Sequence, residues 1–233
     1  MISREQLAKM MDHTLLNPSV TEDDVRKACH EALQYGFGAV VVNPTHLPIV
    51  ARELENSSVK PCSVISFPFG LSTTAAKALE ARTALQEGAE EIDMVMNFSA
   101  LRSRRAEFVL KDIKSVVQSA RGAFGNVVVK VILENCYLTE DEKRQACQLA
   151  VQAGADYVKT STGFGKSGAR VEDVKLMREV VGPKFGVKAA GGIRTAEQAL
   201  QMIEAGANRI GASASVSIIE SLKPQFLNGA NRH

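Results

Sequence analysis

The stretch QAGADYVKTSTG, residues 152–163, holds the repeating unit of the chain in one line. Gln152-Ala153-Gly154 reads as a helix end, where Gly154 can take the left-handed conformation that stops a helix. Asp156–Thr160 then reads as a short buried strand, and Thr160-Ser161-Thr162-Gly163 as the loop that leaves it. The same return from helix to strand occurs at Tyr35-Gly36-Phe37-Gly38, Glu87-Gly88-Ala89-Glu90 and Glu204-Ala205-Gly206-Ala207-Asn208. Tight, repeated returns of this kind indicate parallel β/α units.

Outward from this stretch, brief apolar runs predict further strands at Met11–Leu15, Ala39–Val42, Cys62–Ser66, Glu91–Met96, Val127–Leu133, Gly186–Ala190 and Arg209–Ala212. Longer segments between them, such as Thr139–Ala153 and Thr195–Ala205, show the three- and four-residue spacing of amphipathic helices. Thr21, Thr139 and Thr195 precede acidic residues, a pattern that caps free N–H groups and complements the helix dipole. Eight such units in 233 residues predict an α/β protein with a (β/α)8 TIM barrel fold. A doubly wound open sheet is disfavoured because no strand runs into a Gly-x-Gly-x-x-Gly loop. No linker interrupts the pattern, so residues 1–233 read as a single domain, with a loosely ordered tail at 224–233.

Composition narrows the function. An apolar fraction of 45%, a charged fraction of 23% and a net charge of +2 describe an ordinary soluble protein. Both signs are spread along the chain, which argues against nucleic-acid and membrane partners. No signal-peptide core or membrane span is visible, and the expected compartment is the cytoplasm. The four cysteines lack Cys-x-x-Cys spacing, and the four histidines are scattered, so no protein-bound metal is expected. Cys136 has no histidine beside it in the pattern and reads as a passive thiol.

Chemistry in such a barrel sits where strands end. Here three lysines and two aspartates interrupt apolar strands: Asp12, Asp93, Lys130, Lys159 and Lys188. Lys130, Lys159 and Lys188 are expected at one height on successive strands, with Asp12 and Asp93 as their two carboxylate partners. Buried ammonium groups must pair or lose charge. Their repulsion is therefore expected to depress at least one lysine pKa, the condition for a nucleophilic amine. Lys159 is the chosen nucleophile because a Thr-Ser-Thr-Gly turn follows it. Lys188 would lower its pKa, and Asp93 would move protons. Glu134 is expected as a partner for Lys130.

A second group of residues reads as an anion site. Gly191-Gly192-Ile193-Arg194-Thr195 and Gly211-Ala212-Ser213-Ala214-Ser215 follow strands seven and eight, the recurring phosphate position of this fold. Small residues there let backbone N–H groups approach an anion. Residues 161–168, with Lys166, are expected to close the same pocket.

These motifs together resemble the deoxyribose-phosphate aldolase family. The resemblance rests on Val158-Lys159-Thr160-Ser161-Thr162-Gly163-Phe164, Gly186-Val187-Lys188-Ala189, Gly191-Gly192-Ile193-Arg194-Thr195 and Glu91-Ile92-Asp93-Met94-Val95. Asp12-His13-Thr14-Leu15-Leu16, Phe67-Pro68-Phe69-Gly70 and Glu134-Asn135-Cys136 fit it as well, so it runs from about Asp12 to Ser215. It implies a class I aldolase that reversibly cleaves 2-deoxy-D-ribose 5-phosphate to D-glyceraldehyde 3-phosphate and acetaldehyde, without cofactor or metal. Lys159 would form the Schiff base, Lys188 would perturb its pKa and relay protons, and Asp93 would transfer protons. Asp12 and Lys130 would support them. Gly163, Gly191, Gly192, Arg194, Gly211 and Ser213 would line the phosphate pocket. Its partners would be phosphosugar and aldehyde substrates and, as a homodimer, a second copy of the chain.

The chain departs from the family pattern in places. Phe164 stands where some members have Lys, Ala190 where Ser is common, and Asn135 where Thr is frequent. The last tyrosine is Tyr157, so the tail lacks the Tyr that assists proton transfer in some members. The alternatives are a Schiff-base aldolase of another phosphosugar and a non-catalytic barrel that binds sugar phosphates.

Overall fold

Eight parallel strands close on themselves in sequence order. A computed structural model describes residues 2–222; the expected loose tail at 224–233 lies outside them. The strands are β1 (Met11–Leu15), β2 (Ala39–Val42), β3 (Lys60–Ile65), β4 (Glu91–Val95), β5 (Val128–Ile132), β6 (Tyr157–Lys159), β7 (Gly186–Ala190) and β8 (Arg209–Ala212). A short α1 (Arg4–Lys9) comes first, and α2 (Glu22–Tyr35) and α3 (Leu47–Glu53) follow β1 and β2. Next come α4 (Thr74–Gln86), α5 (Phe98–Arg102), α6 (Ala106–Phe124) and α7 (Glu140–Gln152). The circuit ends with α8 (Val171–Val181), α9 (Ala196–Glu204) and α10 (Ser215–Glu220). This is the expected (β/α)8 barrel. Among the described residues no helix is long and apolar enough to cross a membrane.

Local chemistry accounts for the elements. Thr21, Thr139 and Thr195 each close a reciprocal capping box with the third residue of the following helix. Gly36 ends α2 at φ 70°, and Gly206 turns the chain after α9 at φ 112°. A Cβ on Gly206 would also meet the Arg178 side chain at 2.7 Å.

Strand alternation separates two interiors. Residues such as Val40, Ile92, Met94, Val129, Val131, Val158, Val187 and Ile210 point outward into the core shared with the helices. The alternate positions fill the barrel. Carrying the pairing register around the ring, with the one-residue step per strand of an eight-stranded barrel, stacks these inward residues in layers of four. Ala39, Glu91, Tyr157 and Arg209 form the lowest. Asp12, Cys62, Lys130 and Lys188 come next, then Val41, Asp93, Lys159 and Gly211. Thr14, Val64, Ile132 and Ala190 lie above.

Two halves result. On the β1–β3 side, Leu16, Ala39, Val41, Cys62 and Val64 form a small apolar cluster inside the barrel. The β4–β8 side holds most of the charge. A further buried ion pair lies outside the barrel, where Lys77 of α4 meets Asp112 of α6 at 2.6 Å and donates to the Val95 carbonyl at 3.0 Å. It ties the helical layer to the end of β4, the strand that carries Asp93.

Candidate active site

The layers alter the expected geometry of the lysines. Lys159 pairs in register with Lys188 on one side and Ile132 on the other, whereas Lys130 pairs with Asp93 and Tyr157. Lys130 and Lys188 therefore share a layer, and Lys159 stands one layer nearer the mouth. Register partners in adjacent strands differ in height because the strands are tilted, which spacing along the chain does not reveal.

Asp93 is the hub. It is fully buried, and its carboxylate accepts from Lys130 at 2.9 Å, Lys159 at 2.8 Å and Lys188 at 2.7 Å. Lys188 also donates to Asp12. The Cys62 thiol lies 3.4 Å from Asp93 and 3.6 Å from Lys130. Two groups absent from the sequence reading complete the network. Glu91 meets Lys130 at 2.5 Å and Arg209 at 2.7 Å. Arg209 also donates through Nε to Asp12 at 2.8 Å. The expectation of only two carboxylates thus becomes three. Both groups have the inward parity of known members, Glu91 with Asp93 and Arg209 with Gly211, and that parity is the signal that points to them.

The electrostatics single out one amine. Burial pushes the Lys159 pKa below the ordinary lysine value, and Lys188 pushes it the same way against the pull of Asp93. Burial acts likewise on Lys130, but Asp93, Glu91 and Asp12 outweigh it and hold that group well above the ordinary value. Burial lowers Lys188 too, but Asp12 and Asp93 outweigh it and raise that group. Burial alone would raise the Asp93 carboxyl, yet the three lysines hold it well below the usual range. Of the three expected candidates, only Lys159 is depressed, and burial rather than its neighbour is the leading cause.

Lys159 also opens onto space. It contributes to the floor of a cavity of about 370 Å³, a size suited to a small ligand. The walls come from the loops after β1, β6, β7 and β8. All six expected anion-site residues, Gly163, Gly191, Gly192, Arg194, Gly211 and Ser213, line it. Asp12, Asp93, Lys130 and Lys188 do not; Asp93 shares the layer of Lys159, and the other three lie one layer beneath. The pocket therefore joins one amine to a small-residue rim.

Two expectations fail on geometry. Glu134 does not reach Lys130. A left-handed backbone at φ 56° turns it out of the strand line, and it accepts from the Thr162 N–H at 3.2 Å and from the Thr162 hydroxyl. Lys166 does not line the cavity; its ammonium stands 5.5 Å from the centre of the Tyr137 ring. Phe164 lines the mouth instead and packs edge-on against Phe67, 5.4 Å between ring centres.

A sequence model described as DeoC/LacD family aldolase matches residues 6–229. The chain belongs to that family. Among curated family relatives, a deoxyribose-phosphate aldolase from a Thermoanaerobacter species is 56% identical, with 92% of this chain and 96% of the relative covered. One from Thermococcus kodakarensis is 55% identical, with 94% and 98% covered. Solved structures of similar proteins agree. A putative deoxyribose-phosphate aldolase from Coccidioides immitis superposes with a TM-score of 0.89 at 42% identity, over 94% of this chain and 86% of that one. The Aeropyrum pernix deoxyribose phosphate aldolase, described as having a unique tetrameric structure, gives 0.87 at 38% identity over 94% and 92%. This DeoC/LacD family member thus joins an aldolase sequence to a buried lysine network under a small pocket.

Proposed function

We propose that the protein reversibly cleaves 2-deoxy-D-ribose 5-phosphate to D-glyceraldehyde 3-phosphate and acetaldehyde through an imine on Lys159. The observation that carries this reading is that Lys159, among the described buried lysines, is the one that lines the cavity, and its pKa is driven down there. An uncharged amine at the floor of a pocket is the nucleophile that aldehyde chemistry requires. Names carried by relatives of similar length support the substrate.

The Lys159 amine adds to the C1 aldehyde of the open sugar, and loss of water gives the iminium. The bond between C2 and C3 then breaks, its electron pair flows into the iminium, and an enamine forms. The C3 hydroxyl loses its proton as C3 becomes the aldehyde of glyceraldehyde 3-phosphate. Protonation of the enamine at C2 and hydrolysis release acetaldehyde and the free amine. Asp93, 2.8 Å from the Lys159 nitrogen, moves protons there and, through a water, at the substrate hydroxyl. Lys188 holds Lys159 towards neutrality and relays protons, while Asp12 and Lys130 hold Asp93 and Lys188 in place.

The iminium is itself the electron sink, so this route uses no metal. Chelator is expected to leave turnover unchanged, and a loss restored by zinc would contradict that. Gly163, Gly191, Gly192, Arg194, Gly211 and Ser213 are assigned to the substrate phosphate, supported by their place on the cavity rim. Gly191 has φ 93°, and a Cβ there would meet Gly168 at 3.0 Å. Gly191→Ala is expected to raise KM about tenfold, the effect of modest backbone strain, with less change in kcat. An unchanged KM would remove Gly191 from the phosphate site.

The same reading makes the chain one barrel domain, working in the cytoplasm as a homodimer. The four free cysteines agree with a reducing compartment, and light scattering tests the dimer. The substrate is tested by assaying cleavage of deoxyribose 5-phosphate beside ketose phosphates. Cleavage of the first supports the proposal; cleavage of a ketose phosphate alone would move the protein to another aldolase reaction.

A further inference from the structure

Glu91 and Arg209 touch neither the cavity nor Lys159, and the mechanism above gives them no task. Both are largely enclosed: Glu91 is 5% exposed, and the Arg209 side chain 13%. They lie in the layer beneath Lys130 and Lys188. Arg209 grips both Glu91 oxygens, at 2.7 and 2.8 Å, and reaches Asp12 at 2.8 Å. Glu91 reaches up to Lys130 at 2.5 Å. Among the described residues the connected set therefore contains four cations, Lys130, Lys159, Lys188 and Arg209, and three carboxylates, Asp12, Glu91 and Asp93.

We propose that Glu91 and Arg209 are positioning residues for the aldol chemistry, a matched pair of floor charges that offset each other and so preserve the one-cation surplus that Lys159 relieves as an uncharged amine. The proposal rests on Lys159 being the imine-forming group. An unpaired charge in a closed barrel is strongly unfavourable, so the excess of one cation is relieved by leaving one group neutral. Arg209 cannot be that group, because a guanidinium keeps its proton in proteins. The surplus falls on a lysine.

Contacts select which one. Lys130 has Asp93, Glu91 and, at 3.9 Å, Asp12; Lys188 has Asp12 and Asp93. Among the described residues Lys159 has only Asp93, already shared with both other lysines. Three further titratable groups lie near it. The Cys62 thiol is pushed up by burial and by Asp93, and the Tyr157 phenol points into the lowest layer. Glu134, at the mouth, is raised by burial and bonded to Thr162 and Cys136 instead. The same balance bears on the reaction. The iminium restores the surplus charge and the enamine removes it, so the enclosure favours electron flow from the breaking carbon–carbon bond into the iminium.

The test is the pH dependence of kcat/KM for deoxyribose 5-phosphate cleavage, with borohydride trapping of Lys159 by acetaldehyde over the same pH range. The acid limb marks deprotonation of the free amine. Glu91→Gln removes a negative charge, disfavours the ammonium and should move that limb down by about one pH unit, the scale of a nearby charge at an effective dielectric near 20. Arg209→Gln removes a positive charge and should move it up by about as much. The double variant has two carboxylates opposite Lys130 and Lys188, so the limb should return to its wild-type position. Limbs that stay in place, or that move the same way in both single variants, would reduce the pair to a structural floor. If Arg209→Gln does not fold, Glu91→Gln and the double variant decide. A wild-type protein that forms no imine on Lys159 would instead sink the aldolase reading itself.

Discussion

Lys159→Met is expected to lower turnover by about five orders of magnitude, the scale seen when a covalent nucleophile is removed, while the barrel stays as stable as wild type. The two halves of this expectation have one cause. If Lys159 is the uncharged member of the set, its loss takes away the amine but no paired charge. Asp12, Glu91 and Asp93 then face Lys130, Lys188 and Arg209, three against three. Methionine fills similar volume at the cavity floor. Thermal unfolding should therefore match wild type within a degree or two, while kcat for deoxyribose 5-phosphate drops to background. Retained turnover would show that another group forms the imine. A large loss of stability would show that Lys159 is charged in the resting protein.

Asp93→Asn should fail in both respects. The carboxylate accepts from three lysines at 2.7 to 2.9 Å inside a closed barrel, and asparagine offers one neutral oxygen in its place. Breaking a buried pair by removing one partner typically costs about 3–5 kcal/mol, so unfolding should shift by that much while kcat falls about a thousandfold through lost proton transfer. The pH sign follows from the lowered Asp93 pKa. In the wild type its contribution is full above the unfolded value near 4 and is lost as pH falls through the lower folded value. Wild type and variant should thus differ most at neutral pH and converge in acid. A variant as stable as wild type at neutral pH would mean that Asp93 is not the hub.

Much of this was legible in the sequence, and what was not has a physical reason. Most strands could be read because they are short apolar runs preceded by a helix-ending glycine, as at Gly154 before β6 and Gly206 before β8. Their ends shift by a residue or two. Ser66 and Glu134, for example, leave their strands with left-handed backbone, a choice made by the loop rather than by the apolar run. Lys159, Lys188, Lys130, Asp12 and Asp93 stood out because a lysine or aspartate inside an apolar strand is conspicuous. Glu91 and Arg209 did not, because each begins its strand, where a charged residue reads as solvent-facing. Only inward parity and barrel closure bring them under the network. The relative height of the lysines was hidden for a similar reason, since it depends on strand tilt. The small-residue rim could be read directly from Gly191-Gly192 and Gly211, whereas the outward course of Lys166 depends on the loop between Gly163 and α8.

The claim that most depends on the whole arrangement is that Lys159 is the amine that bonds the substrate. Borohydride reduction of the intact protein in the presence of acetaldehyde, followed by digestion and peptide mass spectrometry, tests it most directly. The account predicts a single N-ethyl group on Lys159, formed at neutral pH and absent from Lys159→Met. An adduct on Lys130 or Lys188 instead, or no adduct on any lysine, would contradict it.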